Sequence, residues 1–345
     1  MSSRVLVTGA AGQDGAYLCR DLLEAGCVVH AGLRPGWNDE SLWRLRELGL
    51  LGHPDLHLLA LDVRDAAACT AAIERLQPQQ LFHLAAVSSV TQALADPLEA
   101  IASNGTGTLH LLEAVRWHAP AARVVLASTA EIFVPRDGVI DETCALQARH
   151  PYAVSKLLAH TALRCYREHY GLQAGAAILF NHESPLRGSA FVTRKIAAAA
   201  ARWAQIPVEP LTLGNLDAQR DFGYAPDHVA ALRALAALPH ADDYVIASGR
   251  CASIREFATL AYAAAGVPLD WRGAGADEHA VDARDGRRCI VVDAALLRRH
   301  DAPVLRGDPT RARRELGLTD SVDTAALAVL LVAAERRRLA RNPRP

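Results

Sequence analysis

The feature that most restricts what this chain can become sits at its start. Arg4 to Thr8 (Arg-Val-Leu-Val-Thr) is a short β-branched run that leads into Thr8-Gly9-Ala10-Ala11-Gly12-Gln13-Asp14-Gly15, and Tyr17 to Ala25 then reads with helical periodicity. Strand, tight turn and helix in that order turn a weak glycine pattern into a phosphate cradle. Glycines let the backbone approach a pyrophosphate, and the helix N-terminus supplies N–H groups and positive dipole. Gly9, Gly12, Gln13, Asp14 and Gly15 are therefore candidate cofactor-binding residues. An ordinary left-handed turn is the bland alternative, and it would not require this placement.

The pattern recurs. Cys27 to Leu33, Leu56 to Asp62, Leu81 to Ala86 and Arg123 to Ala127 are apolar runs separated by helical segments, a βαβ series whose strands are buried on both faces. The expected fold is α/β, a doubly wound parallel Rossmann-type sheet with a smaller C-terminal α/β substrate-binding lobe. Pro185, Gly188, Pro207, Pro210 and Gly214 break up the chain after about residue 180. This places a first, dinucleotide-binding domain at 1–180 and a second lobe mainly at 181–345. The segments near 212–238 and 288–300 are candidates to rejoin the first domain, and Tyr244 to Ala247 and Ile290 to Val292 read as strands.

Composition narrows the partners. The chain has 345 residues, 51% hydrophobic and 22% charged, and a formal net charge of −1, so nothing pulls it toward nucleic acid or an anionic membrane. The seven cysteines are scattered and contain no C-x-x-C, as expected for reduced thiols in a cytoplasmic protein without a metal site. No h-region follows Met-Ser-Ser-Arg, so no signal peptide is expected. Ala325 to Ala334 is an apolar stretch of about half the length of a membrane span. It reads as a surface helix, and the arginines after it as its solvated end.

Cofactor choice depends on the end of the second strand, where NAD-binding proteins usually place an acid for the ribose 2′-hydroxyl. Here Arg34 follows Leu33, and an arginine without an acid suits a 2′-phosphate, favouring NADP. Asp62 and Val63, ending the third strand, suit the adenine edge.

Of the 37 basic residues only Lys156 and Lys195 are lysine. Lys156 lies four positions after Tyr152 in Tyr-Ala-Val-Ser-Lys, on the same helix face. A compact ammonium holds a ribose and lowers the pKa of a neighbouring phenol, which a forked guanidinium does less well. Thr129 and Glu131 follow the Arg123 to Ala127 strand, at the sheet edge that carries the glycine turn. The four form a candidate catalytic group. The phenol removes a hydroxyl proton and the threonine orients that oxygen, while a carboxylate serves the deprotonation of a carbon next to a new ketone. A surface salt bridge is the plain alternative for Glu131.

These residues resemble the extended short-chain dehydrogenase/reductase family and, within it, the GDP-mannose 4,6-dehydratases. The resemblance runs through TGAAGQDGAYL (8–18), STAEIF (128–133), PYAVSK (151–156), ILFNHESPLRGSAFVTRKI (178–196), LGNLDAQRDFGYAPD (213–227), WRGAGADE (271–278) and GDPTRARRELG (307–317). It implies conversion of GDP-mannose to GDP-4-keto-6-deoxymannose. C4 would be oxidised with Tyr152 and Lys156, Glu131 would take the C5 proton as water leaves from C6, and hydride would return to C6, regenerating tightly bound NADP.

Residue by residue, the resemblance puts Leu84, Ala85, Ala86, Ser88, His182 and Arg187 at cofactor contacts. It puts Ser88, Glu131, Asn181, Val192, Lys195, Arg220, Arg298 and Asp301 at nucleotide-sugar contacts. A homodimer or homotetramer is implied. The chain departs from the family pattern at Val87, Ser89, Val134, Leu186, Leu296-Leu297 and the loop 34–38, changes that bear on the sugar pocket and the tetramer-forming loop. Two other reactions compete: dehydration of another GDP sugar, such as a GDP-heptose, and an NDP-sugar 4-reductase or epimerase, which needs no carboxylate base. A non-enzymatic NADP-binding sensor would have no need of the four side chains.

Overall fold

The computed structural model describes residues 2–206, 209–296 and 304–341. Five strands open the chain: β1 (Arg4–Thr8), β2 (Val28–Leu33), β3 (Leu56–Ala60), β4 (Gln80–His83) and β5 (Arg123–Thr129). With Gln173–Leu179 and Tyr244–Ile246 they form a seven-stranded parallel sheet. Its order is Tyr244–Ile246, Gln173–Leu179, β5, β4, β1, β2, β3. The order reverses between β1 and β4, so a ligand crevice belongs outside the carboxyl ends of these two strands. This is a Rossmann-type α/β fold.

The alternation that makes a strand also builds the core. Leu6, Leu81, Val124, Leu126, Ala174 and Ala176 turn to one face of the sheet, against Ile73, Leu111, Leu112, Val115 and Leu163 from the covering helices. Burying each such leucine contributes about 1.5–3 kcal/mol. Local signals set the helix ends. Asp65 accepts from the N–H groups of Ala67 and Ala68 at the start of Ala66–Leu76, as an N-cap should. Pro151 opens the helix Pro151–Tyr170, and Gly171, left-handed at φ 69°, closes it.

Several boundaries differ from the expectation: β3 ends at Ala60, so Asp62 and Val63 follow the strand and do not end it, and β5 runs on to Thr129. The first helix starts at Gln13, not Tyr17, because the glycine turn itself forms its first turn. β4 ends at His83 and not Ala86, since the N–H groups of Leu84 and Ala85 turn toward the Thr8 hydroxyl at 3.2 and 3.3 Å.

The chain divides into two compact units. The first comprises Met1–Phe180, Ala225–Ile246 and Gly307–Thr319, and the second Asn181–Tyr224, Ala247–Arg306 and Asp320–Pro345. The second unit has its own core, with Ile196, Ala200, Phe257, Tyr262, Leu327 and Leu331 at its centre. A sheet ordered Leu269–Arg272, His279–Asp282, Arg288–Val292, Leu211–Leu213 belongs to it. Of the segment expected near 288–300, the described strand Arg288–Val292 thus does not rejoin the first sheet. Arg288–Val292 is already flanked on both edges, by His279–Asp282 and Leu211–Leu213. The apolar stretch in Ala325 to Ala334 lies in the helix Thr324–Arg341, which buries Leu327, Ala328, Leu331 and Val332. Its Arg338 is not simply solvated: the guanidinium pairs with Glu335 and donates to the Pro185 carbonyl. Among the described residues no helix is long and apolar enough to cross a membrane.

Asp243, just before the edge strand Tyr244–Ile246, ties that strand down. Its carboxylate accepts from Arg167 at 2.8 and 3.2 Å and from the Ala176 N–H at 3.1 Å. Asp243→Ala would strand a largely buried guanidinium and is expected to destabilise the first unit by about 3 kcal/mol, read from its urea unfolding midpoint. Adding Arg167→Met should recover much of that loss; no recovery would show that the pair is not the source.

Candidate active site

The glycine turn is built by close approach. Gly9 sits at φ 71°, its N–H donates to the Gly32 carbonyl at 3.1 Å, and its own carbonyl accepts from the Gly12 N–H at 2.9 Å. A Cβ on Gly9 would stand 2.7 Å from the Ala85 nitrogen, one on Gly15 2.4 Å from the Gly9 carbonyl oxygen, and one on Gly12 3.0 Å from it. Gly9, Gly12 and Gly15 are therefore required by close backbone packing, of the turn on itself and on the Leu84-Ala85 segment. Gln13 and Asp14 begin the helix Gln13–Glu24, whose N-cap, Gly12, has no side chain to cap it. That arrangement fits a pyrophosphate. Leu84 and Ala85 lie against the turn, and Ala86 and the exposed Ser88 follow them.

At the ends of β2 and β3 the structure shows a charge network that single-residue reading missed. Arg34 donates to Glu99 at 2.7 Å, and Arg64 donates to the other oxygen of the same carboxylate at 2.7 Å. Arg64 also clasps Asp62 through Nε and Nη2, at 2.9 and 2.6 Å. These bonds hold the Asp62 carboxyl down at about 2. Burial pulls Glu99 the other way, but its bonds from Arg34, Ser103 and Arg64 outweigh that and keep it below the usual carboxylate range. Val63 is buried, and its carbonyl accepts from His110 Nδ1 at 2.9 Å. Arg64 follows the predicted pair Asp62-Val63 directly. That position was its only sequence signal, and Glu99 had none.

The four candidate catalytic residues share the end of β5 and the first turns of Pro151–Tyr170. Thr129 closes β5, and its hydroxyl accepts from the Glu131 N–H at 3.3 Å. Glu131 lies in the one-turn 3₁₀ segment Ala130–Ile132, its side chain 32% exposed. Tyr152 is 8% and Lys156 5% exposed. Lys156 Nζ donates to the Ala127 carbonyl at 2.7 Å, which fixes the helix to the strand two residues before Thr129. Burial pushes the ammonium down to about 8. Asn104, in the π-helical turn Ile101–Thr106, donates to the Ser155 hydroxyl at 2.9 Å and accepts from the Val87 N–H at 2.8 Å. Ser155 in turn donates to the Tyr152 carbonyl at 2.8 Å. Neither Asn104 nor His150, whose Nε2 is 3.4 Å from Glu131 Oε2, was expected from the sequence.

In the second unit, His182 is buried in the strand His182–Glu183, and the Asn181 carbonyl accepts from the Gly223 N–H at 2.8 Å. The Arg187 guanidinium lies over the Phe191 ring at 3.6 Å, with Nε 3.0 Å from a Glu183 carboxylate oxygen. Val192 opens the helix Val192–Trp203. Lys195, Arg194 and Arg202 on that helix line a cavity of about 270 Å³ with Ser189, Leu211 and Glu335. Arg220 is 9% exposed in Gln219–Asp221. Arg298 and Asp301 lie outside the described residues. Among the described residues no cluster of acids, histidines or cysteines forms a metal site.

A family model described as GDP-mannose 4,6 dehydratase matches residues 6–329. The chain is 36% identical to the GDP-mannose 4,6-dehydratase of Sinorhizobium fredii (strain HH103), covering 95% of each chain. It is 34% identical to the GDP-mannose 4,6 dehydratase of Homo sapiens, covering 98% of this chain and 92% of that one. Among solved structures it resembles UDP-glucose 4-epimerase from Thermus thermophilus in complex with NAD, with TM-score 0.78, 26% identity and coverage of 96% of this chain and 99% of that one. RMD from Pseudomonas aeruginosa, complexed with NADPH, shares the fold at TM-score 0.75 and 24% identity, over 98% and 100% of the two chains. The chain belongs to the GDP-mannose 4,6 dehydratase family.

The depressed Lys156 makes a prediction about stability. A lysine whose folded pKa is about 8, below its unfolded value, destabilises the fold at lower pH, and the cost fades as pH rises from about 8 through about 10.5. Lys156→Met should therefore match or exceed the parent stability at neutral pH, by up to about 3 kcal/mol. That margin should vanish in alkaline buffer while turnover is lost at every pH. Urea titrations at several pH values measure it, and a pH-independent margin would contradict the assignment.

Proposed function

We propose that this family member converts GDP-mannose to GDP-4-keto-6-deoxymannose by dehydration across C5 and C6. The observation that carries the reading is Glu131 beside Thr129, Tyr152 and Lys156 on one strand end and one helix start. A 4-reductase or epimerase has no use for a carboxylate there. A bound nicotinamide dinucleotide supplies reversible hydride acceptance and return. The glycine turn with Gln13 and Asp14 would hold its pyrophosphate, Asp62, Val63, Leu84, Ala85, Ala86 and Ser88 its neighbouring parts, and Lys156 its ribose.

The protein's own steps follow from its side chains. Tyr152 takes the C4 hydroxyl proton, assisted by the nearby ammonium of Lys156, and Thr129 orients that oxygen. Once C4 is a ketone the C5 hydrogen is acidic. Glu131 takes this proton and the C6 hydroxyl departs, leaving a C5=C6 double bond. The two protons taken by Tyr152 and Glu131 go to the departing hydroxyl, giving water, and to C5, while the hydride lost from C4 would return to C6, so there is no net redox change. In the second unit Asn181, Val192, Lys195 and Arg220 would contact the nucleotide sugar, with the cations suited to its diphosphate, and His182 and Arg187 would contact the cofactor. Arg34, its side chain 56% exposed just after β2, favours a 2′-phosphate and hence NADP over NAD, the phosphate taking the place of Glu99 as its partner. The exposed side chains of Leu94, Leu98, Val154 and Leu158 favour a homodimer or larger assembly.

A second reading, dehydration of a different GDP sugar, is favoured by Val87, which packs against the cluster containing Tyr152. Incubation with a panel of GDP sugars and detection of products lighter by one water distinguishes the two. GDP-mannose is expected to lose water without net NADPH formation, and no loss with any sugar would end the dehydratase reading. Glu131→Gln should bind substrate while elimination fails. Arg34→Glu should weaken NADP at least tenfold and leave NAD little changed in fluorescence titrations; equal losses for both would refute the 2′-phosphate role.

A further inference from the structure

His150 serves two elements at once. It is the N-cap of the helix that carries Tyr152 and Lys156, and its Nδ1 accepts the Ala153 N–H at 3.2 Å. A ring nitrogen that accepts carries no proton, so in the neutral imidazole the proton resides on Nε2. That nitrogen lies 3.4 Å from Glu131 Oε2. The ring also runs nearly parallel to that of Tyr152, with centroids 6.1 Å apart and planes at 10°.

The consequence concerns Glu131 more than the helix. Its side chain is 32% exposed, whereas His150 is 14% exposed and is held by its cap bond. A partly exposed carboxylate next to a fixed donor is restricted in orientation by that donor. We propose that His150 is a positioning residue: the cap bond sets its tautomer, and Nε2–H aims the Glu131 carboxylate for proton removal at C5. The bond is long in this state, as catalytic hydrogen bonds often are before substrate tightens the site. The inference rests on the reading of Glu131 as the C5 base.

Cap and donor separate by substitution. His150→Ser and His150→Asn keep a side-chain oxygen that caps Ala153 but cannot reach Glu131. His150→Gln places an amide N–H near the Nε2 position and caps poorly. If His150 positions Glu131, Ser and Asn variants keep the thermal midpoint and KM, while kcat and exchange of the C5 hydrogen with D₂O fall about tenfold or more. C4 oxidation then outruns elimination, and reduced cofactor accumulates on the enzyme. The Gln variant retains most of the exchange rate despite a lower midpoint.

A role confined to the cap predicts the reverse ranking, with Ser and Asn at parental kcat and Gln impaired, and that result overturns the inference. Glu131→Gln run alongside separates the two claims. If it abolishes exchange while His150→Ser does not, the positioning role is wrong and the base stands. If it leaves exchange intact, the base reading falls and takes the inference with it.

Discussion

One hydrogen bond holds the candidate site together: Lys156 Nζ to the Ala127 carbonyl at 2.7 Å. It joins the helix that carries Tyr152 to the strand that ends in Thr129. The bond comes at a cost, because a buried ammonium gives up hydration that one carbonyl only partly replaces. The chain accepts that cost where chemistry needs a compact cation. The same charge, added to the larger effect of burial, pushes His83 down to about 3. That keeps the imidazole neutral between the Thr8 and Thr108 hydroxyls, 2.8 and 3.1 Å away. One cation thus bears on both β4, through His83, and β5, through the Ala127 carbonyl.

Around that bond the supports are redundant in an instructive way. Asn104, Ser155 and the Tyr152 carbonyl form a chain of bonds from the loop after β4 to the helix, so the phenol's helix is held from two sides of the sheet edge. The arginines work differently. Arg64 and Arg34 share Glu99, and Arg167 clasps Asp243, each using the guanidinium as a fork across elements distant in sequence. A composition almost empty of lysine therefore leaves the forked cation to bridge elements and keeps the ammonium for the spot beside the phenol.

What could be read from residues alone was local. The strand, glycine turn and helix, the Tyr-Lys spacing and the apolar runs of the parallel sheet all depend on neighbours within a few positions, and sequence carries these directly. The companions of the site were not legible. Glu99 meets Arg34 across 65 positions, Asn104 meets Ser155 across 51, and His150 meets Glu131 across 19, and none of these pairs has a periodic signature. Element ends slipped for a related reason. β4 stops at His83, after which the Leu84 N–H is shared between the Thr8 carbonyl and hydroxyl and the Ala85 N–H goes to that hydroxyl, a partner from another strand. Ile290 to Val292 reads as a strand and lies within one, Arg288–Val292, but only tertiary pairing decides which sheet receives it.

The interleaving of the two units carries a consequence for how the polypeptide comes into being. The first sheet is completed by Tyr244–Ile246, more than sixty positions beyond the preceding strand Gln173–Leu179, and the first unit also takes in Gly307–Thr319. During synthesis the open edge of Gln173–Leu179 therefore stands unpaired while the intervening stretch is still being made. A ribosome paused in that interval presents a β-rich intermediate with an adhesive edge. Cutting the gene at the apparent boundary near residue 180 would make that transient state permanent. The first unit is therefore not a cassette that a single cut in the gene would release, since three separate stretches of the chain complete it.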